Sequence, residues 1–472
     1  MKLSLRRPAR AASTVVAGLV TIGALVACAK TLDRGDPGAA PAEAGAALPE
    51  ASTSDLDTGV SVDAGDEFTV PDGAVVCDGS PCAVSVSAAG STFCALLQDG
   101  TVSCWGGNDQ RQLGYDAGTD FPPASASARL VTGLTGVTSV SVGEGNACAS
   151  VTDGGVLCWG APDLVTSGLV PVDGGPTNDE PIPDPTRETA VPAATSVSVG
   201  SHVACVTTAS GALSCWGHDE SLELGRGPTA TPYAPPANVD VGGEGVILAR
   251  PGYGRTFAVT ATGRLFSWGA NTMAGSFGFL LGRDTSEDPD GVPTVVPFTS
   301  PVRSLATAAD HSCAVAGRLV ECWGSNDNGQ LGRGSFGSLF FLPGPSNVGF
   351  AAAAEDVDAS SFDTHDVPLH VATGFGHACA VMGSGRVYCW GANGSGQLGE
   401  RAAAGVTKSG TPHHVTGLSG PAVHLASSDG AICALLRSGA VECWGSNFQG
   451  ELGLGTLDDH THPHPAPVLF PR

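Results

Sequence analysis

HACAVMGSGRVYCWGANGSGQLG, residues 377–399, contains the pattern from which the architecture of the chain can be predicted. Its Trp390 is one of 7 Trp in a chain of 472 residues, and every Trp is followed by Gly. Successive Trp are separated by 54, 57, 52, 55, 67 and 54 residues. A nearly constant period is typical of repeat proteins, so we expect one Trp per repeat to anchor its packing. These anchors are Trp105, Trp159, Trp216, Trp268, Trp323, Trp390 and Trp444.

The repeat predicts strands joined by tight turns. Apolar residues alternate with small or polar ones before the Trp, as in VTSVSV at 137–142. After the Trp comes a turn such as QLG at 397–399, and most other repeats carry the same turn or a variant with Glu. A content of 67 Gly and 33 Pro excludes a mostly helical chain. The expected fold class is therefore all-β.

The 15 Cys sort into groups once the repeat is recognised. Six repeats carry one Cys directly before the Trp and another nine or ten residues earlier. The remaining repeat has Phe257 and Ser267 instead, so both Cys are missing together, as a bonded pair predicts. Cys28, Cys77 and Cys82 lie outside the pattern. The expected pairs are Cys94–Cys104, Cys148–Cys158, Cys205–Cys215, Cys313–Cys322, Cys379–Cys389 and Cys433–Cys443.

A hairpin explains the spacing within each pair. Folding Cys94 opposite Cys104 leaves residues 98–100 as a three-residue loop ending in Gly, and five other repeats match it. The third residue of such a loop is left-handed, a conformation that Gly adopts without strain. The fifth repeat is one residue shorter and leaves the two-residue turn Gly317-Arg318. Cross-strand Cys then lie near bonding distance, and each disulfide would contribute about 2–3 kcal/mol.

Other states of these side chains remain open at this point. Zinc would require four converging ligands, and buried free thiols would require a reducing compartment. Cys77 and Cys82 are expected to close one more small loop before the repeats. The alternating His460, His462 and His464 could bind a metal, but we interpret them as part of a solvated Pro-rich connector to the last strand. We expect no metal site.

The N-terminus resembles the signal of a bacterial lipoprotein. Basic residues precede an apolar run at 11–27, which is short for a membrane-spanning helix. The run ends in Leu-Val-Ala followed by Cys28, which resembles a lipobox. The resemblance implies removal of residues 1–27, acylation of Cys28 and a lipid anchor in the cell envelope. Ala29 after the Cys favours the outer membrane in enteric-type sorting.

The mature chain would consist of a tether and one large domain. Residues 28–75 are rich in Ala, Gly, Asp and Pro and are too polar to bury a core, so we expect a flexible linker. The repeat domain then covers 76–472. The formal charge is −24, and without residues 1–27 the chain has 18 basic and 46 acidic side chains, or −28. Such a charge repels polyanions, so no nucleic-acid partner is expected.

Chemical motifs are scarce in this sequence. GSGQLG at 394–399 fits the pattern G-x-G-x-x-G, but it is the turn of the repeat itself, and a nucleotide site would require a helix after it. No catalytic residue is singled out. We therefore expect neither a cofactor nor enzymatic activity. We also expect the chain to be monomeric.

His-x-Cys-Ala at 377–380, Cys-Trp-Gly-x-Asn at 389–393 and Gly-Gln-Leu-Gly at 396–399 together resemble the regulator of chromosome condensation repeat. The resemblance covers roughly residues 83–472 and implies a seven-bladed β-propeller. The second repeat departs from the pattern because it lacks the Gln-Leu-Gly turn. The first repeat lacks the Pro-x-x-Val strand of the others, while the chain ends in PAPVLF at 465–470. We expect this C-terminal strand to complete the first blade and close the ring.

Long insertions follow the Trp-Gly pair in several repeats, at 161–192, 217–245, 270–300 and 333–370. Their common phase places them on one face of a propeller. Apolar patches, at 277–281 and 336–341, either form a binding surface or pack down over the blades.

The function that this pattern favours is a non-catalytic, envelope-anchored interaction module. It would bind a protein or a cell-surface ligand through the face with the insertions. The resemblance also admits a secreted inhibitor of an enzyme, and propellers can host a lyase or hydrolase in the central channel. Nucleotide exchange on a small GTPase with chromatin binding, the role that names the repeat, is disfavoured by export and by the acidic charge.

Overall fold

The computed structural model describes residues 75–77, 79–115, 124–164, 181–228, 233–272, 279–337, 345–348, 366–399 and 405–471. Within these ranges the strands form seven antiparallel sheets of four strands each. In every sheet the strands follow chain order from one edge to the other, and the first strands of all seven line one central channel. This is a seven-bladed β-propeller, which confirms the predicted fold class.

The blades are numbered in chain order, each with an inner first strand and an outer fourth strand. Blade 1 consists of β1 (Ala83–Ala89), β2 (Thr92–Leu97), β3 (Val102–Gly107) and β4 (Ala124–Leu130). Blade 2 consists of β5 (Val137–Val142), β6 (Asn146–Val151), β7 (Val156–Gly160) and β8 (Ile182–Arg187), with a short 3-10 helix at Pro162–Leu164. Blade 3 consists of β9 (Ser196–Val199), β10 (Val203–Thr207), β11 (Leu213–His218) and β12 (Tyr233–Val239).

The other four blades repeat this plan. Blade 4 consists of β13 (Val246–Pro251), β14 (Arg255–Thr260), β15 (Leu265–Gly269) and β16 (Asp290–Val296). Blade 5 consists of β17 (Val302–Thr307), β18 (His311–Ala316), β19 (Leu319–Gly324) and β20 (Ser346–Asn347). Blade 6 consists of β21 (Pro368–Gly374), β22 (His377–Met382), β23 (Val387–Ala392) and β24 (Lys408–Val415). Blade 7 consists of β25 (Ala422–Ser427), β26 (Ala431–Leu436), β27 (Val441–Gly445) and β28 (His462–Pro467).

The hydrophobic core lies between the blades. The second strand of every blade is buried along its whole length, whereas outer strands such as β8 and β28 are partly exposed. Buried apolar residues form clusters that each join two neighbouring blades, and blade 7 is joined to blade 1 in the same way. Each repeat therefore buries its apolar surface only against its neighbours, as expected of a repeat protein.

The hairpin register agrees with the Cys pattern. In six blades the Cys of the second strand lies opposite the Cys of the third, with 4.1 Å between their Cα atoms, and the two are joined by a disulfide. Cys77 and Cys82 form a seventh disulfide before β1. The hairpin loops also match, since Gly100 has φ 78° and Gly317 has φ 57°. The seven predicted pairings are thus the ones that the structure contains.

Blade 4 has no disulfide in its hairpin and contains a buried polar network beside it. Phe257 lies opposite Ser267, where the other blades have Cys. Ser267 donates its hydroxyl to the Leu281 carbonyl (2.8 Å) and accepts from Arg283 Nε (3.0 Å). The Arg283 guanidinium also forms a buried ion pair with Asp290 on the outer strand (2.8 Å). These contacts tie the third strand to the fourth, whereas the disulfides of the other blades join the second strand to the third.

The predicted closure was wrong in its strand assignment. The C-terminal strand β28 pairs with β27 inside blade 7, and blade 1 is completed by its own β4. Every blade therefore consists of four consecutive strands. The mistake arose because the Pro-x-x-Val segments are the outer strands of the blades that precede them, so the first repeat lacks nothing.

Side-by-side packing closes the ring instead. Trp105 of blade 1 donates its indole N–H to the Glu451 carbonyl of blade 7 (2.8 Å). Beyond β28, Phe470 packs edge-on against Trp105 with 5.8 Å between ring centroids. On the N-terminal side, the Val76 N–H donates to the Arg437 carbonyl in the last hairpin (2.7 Å). Both ends of the described domain thus cover the joint between blades 1 and 7.

The predicted signal peptide, the lipidated Cys28 and most of the tether lie outside the described residues. In the described part of the chain, no helix has the length and apolar character needed to cross a bilayer.

Candidate interaction surface and central channel

The repeated Trp are joints between blades. Each is fully buried, and each indole Nε1 donates to a main-chain carbonyl in the preceding blade, as the Trp390 indole does to the Gln330 carbonyl (2.8 Å). The acceptor lies in the turn after the preceding Trp in all seven joints. The acceptor carbonyls, from blade 1 onward, are those of Glu451, Gln112, Leu164, Glu223, Leu280, Gln330 and Gln397. In blade 2, which lacks Gln-Leu-Gly, the 3-10 helix supplies this carbonyl.

The motif His is also structural. His377, at the start of β22, is fully buried, and its Nε2 lies 2.9 Å from the Ser427 hydroxyl of the next blade. At the same position, Asn146 donates to the Ser201 carbonyl (3.2 Å) and Arg255 donates to the Ala309 carbonyl (2.9 Å), again in the next blade. Burial and the nearby His311 lower the pKa of His377 to about 4. The neutral ring is therefore suited to fixing a loop.

The disc has two different faces. One contains the connections from first to second and from third to fourth strands, and we call it the loop face. The opposite one contains the hairpins that join second and third strands, and we call it the hairpin face. The predicted insertions connect third to fourth strands, so the parts that the structure describes belong to the loop face.

The loop-face mouth of the channel is lined by one residue from each blade, two positions before the second strand. Two of them, Glu144 and Asp429, are acidic and come from the blades on either side of blade 1. Burial raises the pKa of Glu144, and repulsion from Asp429 adds to this effect. Two others, Tyr253 and Phe375, are aromatic. The seven are Gly90, Glu144, Ser201, Tyr253, Ala309, Phe375 and Asp429.

Exposed Phe side chains are concentrated on the loop face in the described residues. Phe375 is 58% exposed, Phe448 is 70% exposed and Phe336 is 44% exposed. The Lys408 ammonium lies 5.1 Å above the Phe336 ring. Water-exposed rings clustered on one face are typical of a protein-binding surface.

Sequence reasoning missed Phe375 and Phe448, although a signal was present. Phe448 lies four residues after its Trp, where four other repeats have Asp or Glu, for example Asp327. Phe375 occupies the position that holds Glu144 in blade 2. Aligning the seven repeats and marking aromatic residues at otherwise polar positions would have found both.

The two predicted apolar patches behave differently. Leu280 and Leu281 are buried, with main-chain carbonyls that accept from the Trp323 indole and the Ser267 hydroxyl. This part of the first patch packs against the blades and is not exposed to solvent. In the second patch Phe336 is exposed, while residues 338–341 lie outside the described part of the chain, as do 277 and 278.

The central channel encloses about 400 Å³. Its wall is formed by the first strands, whose side chains tie adjacent blades together. Ser87 accepts from the Val142 N–H and Ser141 accepts from the Val199 N–H, both at 3.0 Å. No group of three or more metal-ligating side chains occurs within the described ranges. The Nε2 of His462 lies 2.7 Å from Asp458.

Comparisons with known proteins agree with this architecture. The family described as Regulator of chromosome condensation (RCC1) repeat matches residues 83–112, 369–397 and 384–435. The Ultraviolet-B receptor UVR8 of Arabidopsis thaliana is 27% identical over 268 residues, which is 56% of either chain. Protein RCC2 of Mus musculus is 30% identical over 220 residues, 43% of this chain and 40% of RCC2. The aligned region thus spans about half the length of these relatives.

Solved structures show the same fold. Human WBSCR16 superposes with a TM-score of 0.64 at 18% identity, covering 79% of this chain and 95% of that one. Prp20p from Saccharomyces cerevisiae, a protein with binding properties to Gsp1p and histones, superposes with a TM-score of 0.61 at 16% identity, covering 82% and 87%. At these identities the likeness concerns the fold alone. The chain is built from repeats of the regulator of chromosome condensation type, folded as a seven-bladed β-propeller.

Proposed function

We propose that the chain is a non-catalytic interaction module that binds a protein or cell-surface ligand through its loop face. The exposed Phe residues of that face are the observation that carries this proposal. A partner would bury Phe375 and Phe448, and Phe is among the residue types that are enriched in protein interfaces. Prp20p, with its binding properties to Gsp1p and histones, is a precedent for recognition by a propeller of this shape.

The chemistry of the face limits the class of partner. Glu144 and Asp429 at the channel mouth, together with exposed Asp327, give the loop face negative charges beside the aromatic side chains. A complementary partner would present basic side chains around an apolar patch. If the partner is an exported enzyme with such a surface, the chain would act as its inhibitor, which is the alternative function named in the sequence analysis.

The test compares two faces of the same protein. The double variant Phe375→Ser, Phe448→Ser removes aromatic surface from the loop face, and Leu319→Ser, 47% exposed in a hairpin, is the matched control. Crosslinking in envelopes of the source cell, followed by mass spectrometry, would quantify each captured protein. We expect the same partner with wild type and control, and roughly tenfold less with the double variant. Equal capture by all three, or turnover of an envelope polymer, would contradict the proposal.

We further propose that the module is anchored in the cell envelope, on the outer membrane, by lipid on Cys28. The lipobox-like segment that ends at this residue supports the proposal. Two or three acyl chains hold a protein on a bilayer far more firmly than one. Metabolic labelling with palmitate should label the wild-type chain and not Cys28→Ser, with Ala29→Ser as a labelled control. An unlabelled wild-type chain would refute the lipid anchor.

A further inference from the structure

One ring of positions in the channel differs between blades. These positions lie on the first strands, each opposite the residue at the first Cys position of the hairpin. Six of the seven are Ser or Ala, and the small side chains leave the channel open. The exception is Arg250 on β13. The ring is Ser87, Ser141, Ser198, Arg250, Ala306, Ala372 and Ala426.

Arg250 has few partners for its five N–H donors. One nitrogen, Nη1, donates to the Ala249 carbonyl (3.2 Å) and more weakly to the Ser198 hydroxyl (3.4 Å). In the described residues no carboxylate forms an ion pair with it, and enclosure alone lowers its pKa, to about 10. It is still a cation at neutral pH. A guanidinium enclosed without a counter-ion is an uncommon arrangement, because an isolated charge is costly to remove from water.

Two imidazoles lie one layer closer to the hairpin face. His370 of blade 6 and His424 of blade 7 line the channel with 3.9 Å between ring centroids. His370 Nδ1 accepts from the Leu425 N–H (3.4 Å), so the neutral ring carries its proton on Nε2. His424 Nδ1 is buried and has no hydrogen-bond partner. Enclosure is the main cause that lowers both pKa values, that of His424 to about 4, and the Arg250 charge adds to it.

The Ser side chains make the lining rich in donors. The hydroxyl oxygens of Ser87 and Ser141 accept main-chain N–H groups from the next blade. Each hydroxyl keeps its own proton for a further partner. The channel therefore offers a guanidinium, an imidazole N–H and several hydroxyl protons to any group inside it. Such a set of donors suits an oxyanion.

The acidic groups of the channel lie at its other end. Glu144 and Asp429 are each three residues beyond the ring that contains Arg250, or roughly 10 Å along the strands. In the described residues neither carboxylate forms an ion pair with the guanidinium, and the neutral His370 and His424 lie on its other side. A ligand can therefore approach Arg250 from the hairpin face without passing the two carboxylates.

We propose that the central channel binds a small oxyanion, the carboxylate or phosphate group of a small molecule, with Arg250 as the charged ligand-binding residue. His370 and the hydroxyls of Ser87 and Ser141 would donate to the same group. The enclosed space of about 400 Å³ has room for an organic acid larger than the anionic group alone. The site lies apart from the loop face, so its loss leaves the proposed partner binding intact.

Binding should be coupled to proton uptake. An anion beside His424 raises the pKa of the ring from its low value, so the complex holds more protons than the free protein. Affinity should then increase as pH falls from 7 toward 5. The titratable groups that line the channel are Arg250, His370, His424, Tyr253, Glu144 and Asp429. Protonation of the two carboxylates also favours anion binding, so a His424 variant is needed to separate the two effects.

Calorimetry on the purified full chain with sulfate, phosphate and citrate is the direct test. Sulfate keeps its charge across this pH range, and citrate tests an organic acid. Arg250→Ser copies the residue of the neighbouring blade, and Arg318→Ser in an exposed hairpin is the matched control for charge. We expect wild type and control to bind and Arg250→Ser to lose affinity at least about tenfold. Arg250→Lys, which keeps the charge, should retain part of it.

His424→Ser, which copies the residue found at this level in blades 1 to 3, tests the coupling. It should still bind sulfate at pH 7.5 and lose most of the strengthening at pH 5.5. Absence of binding of all three anions, or equal binding by Arg250→Ser, would overturn the proposal. Zinc binding that His424→Ser abolishes and Arg250→Ser leaves unchanged would also overturn it, in favour of a metal site.

Discussion

At the scale of single residues, the residues that recur in the seven repeats are those that form hydrogen bonds between blades. The Trp159 indole donates to the Gln112 carbonyl (2.9 Å), and the following Leu113 is fully buried. Gly114 then turns the chain away directly beside the indole, with φ 68°. A Cβ at Gly114 would lie 2.6 Å from Trp159 Nε1. The short Gln-Leu-Gly segment thus provides an acceptor, a core side chain and the space for the next Trp.

Gly114→Ala should destabilise the protein more than an equally left-handed control. Gly133 has φ 76° and nothing within 4 Å of its Cβ position, so Gly133→Ala carries only the conformational strain of about 1–2 kcal/mol. Gly114→Ala adds a steric conflict with the indole, for a total of about 2–5 kcal/mol. Thermal or denaturant unfolding of the two variants measures the difference. Equal stability of both would show that the indole does not lie against this turn.

His377 should make the protein less stable in weak acid. The unfolded chain takes up a proton near pH 6.5, whereas burial holds the pKa of the folded ring at about 4. The depressed value means that stability is full above pH 6.5 and is lost as pH falls toward 4, by up to about 3 kcal/mol. Asp310 and His311 also act on this ring.

His377→Asn places there the residue that blade 2 has at the same position, and should flatten the dependence of unfolding free energy on pH between 6.5 and 4. Exposed His460→Asn is the control and should leave the slope unchanged. A slope that is the same in wild type and His377→Asn would rule out this source of acid sensitivity.

At the scale of elements, one hairpin is used seven times, in six cases with a disulfide between its strands. Those six disulfides are inaccessible to solvent. The hairpin of blade 4 has the buried Phe257 at the first Cys position, and the Arg283–Asp290 network ties its third strand to the fourth strand. The hairpin register and the Gly-ended loops could be predicted, because both follow from spacing alone. The polar network of blade 4 could not be predicted, since Arg283 and Asp290 lie in a segment whose path the repeat does not determine.

The disulfides should differ in their sensitivity to reductant. Cys77 is partly exposed, whereas both Cys of every hairpin pair are fully buried. A thiol must reach a sulfur to exchange with it, so Cys77–Cys82 should react first under native conditions. Reduction followed by alkylation and mass measurement should show two blocked thiols well before the other twelve. Simultaneous release of all fourteen would mean that the hairpins open as easily as the N-terminal loop.

At the scale of the whole molecule, the ring is closed without exchange of a strand. Seven Trp predicted seven blades, which is correct. The C-terminal strand was assigned to blade 1 because the length of the repeat does not show at which strand a blade begins. The structure places β28 in blade 7 and uses Phe470 to cover Trp105. Closure therefore rests on the same Trp-to-carbonyl contact as every other joint.

The proposed functional surfaces were likewise predictable only in part. The insertions could be assigned to one face of the propeller because they all occur at the same position in the repeat, and that position is read from chain order. Phe375 and Phe448 escaped notice because single residues were not compared between repeats. Arg250, His370 and His424 could not be brought together from the sequence, because they come from three blades and meet only when the ring is formed.

Disulfide mapping of the native, unreduced chain by mass spectrometry is the sharpest test of whether each blade is built on one sequential hairpin. We expect seven links, six of them joining Cys nine or ten residues apart and one joining Cys77 to Cys82. Links between different repeats, or free thiols at the hairpin positions, would contradict it.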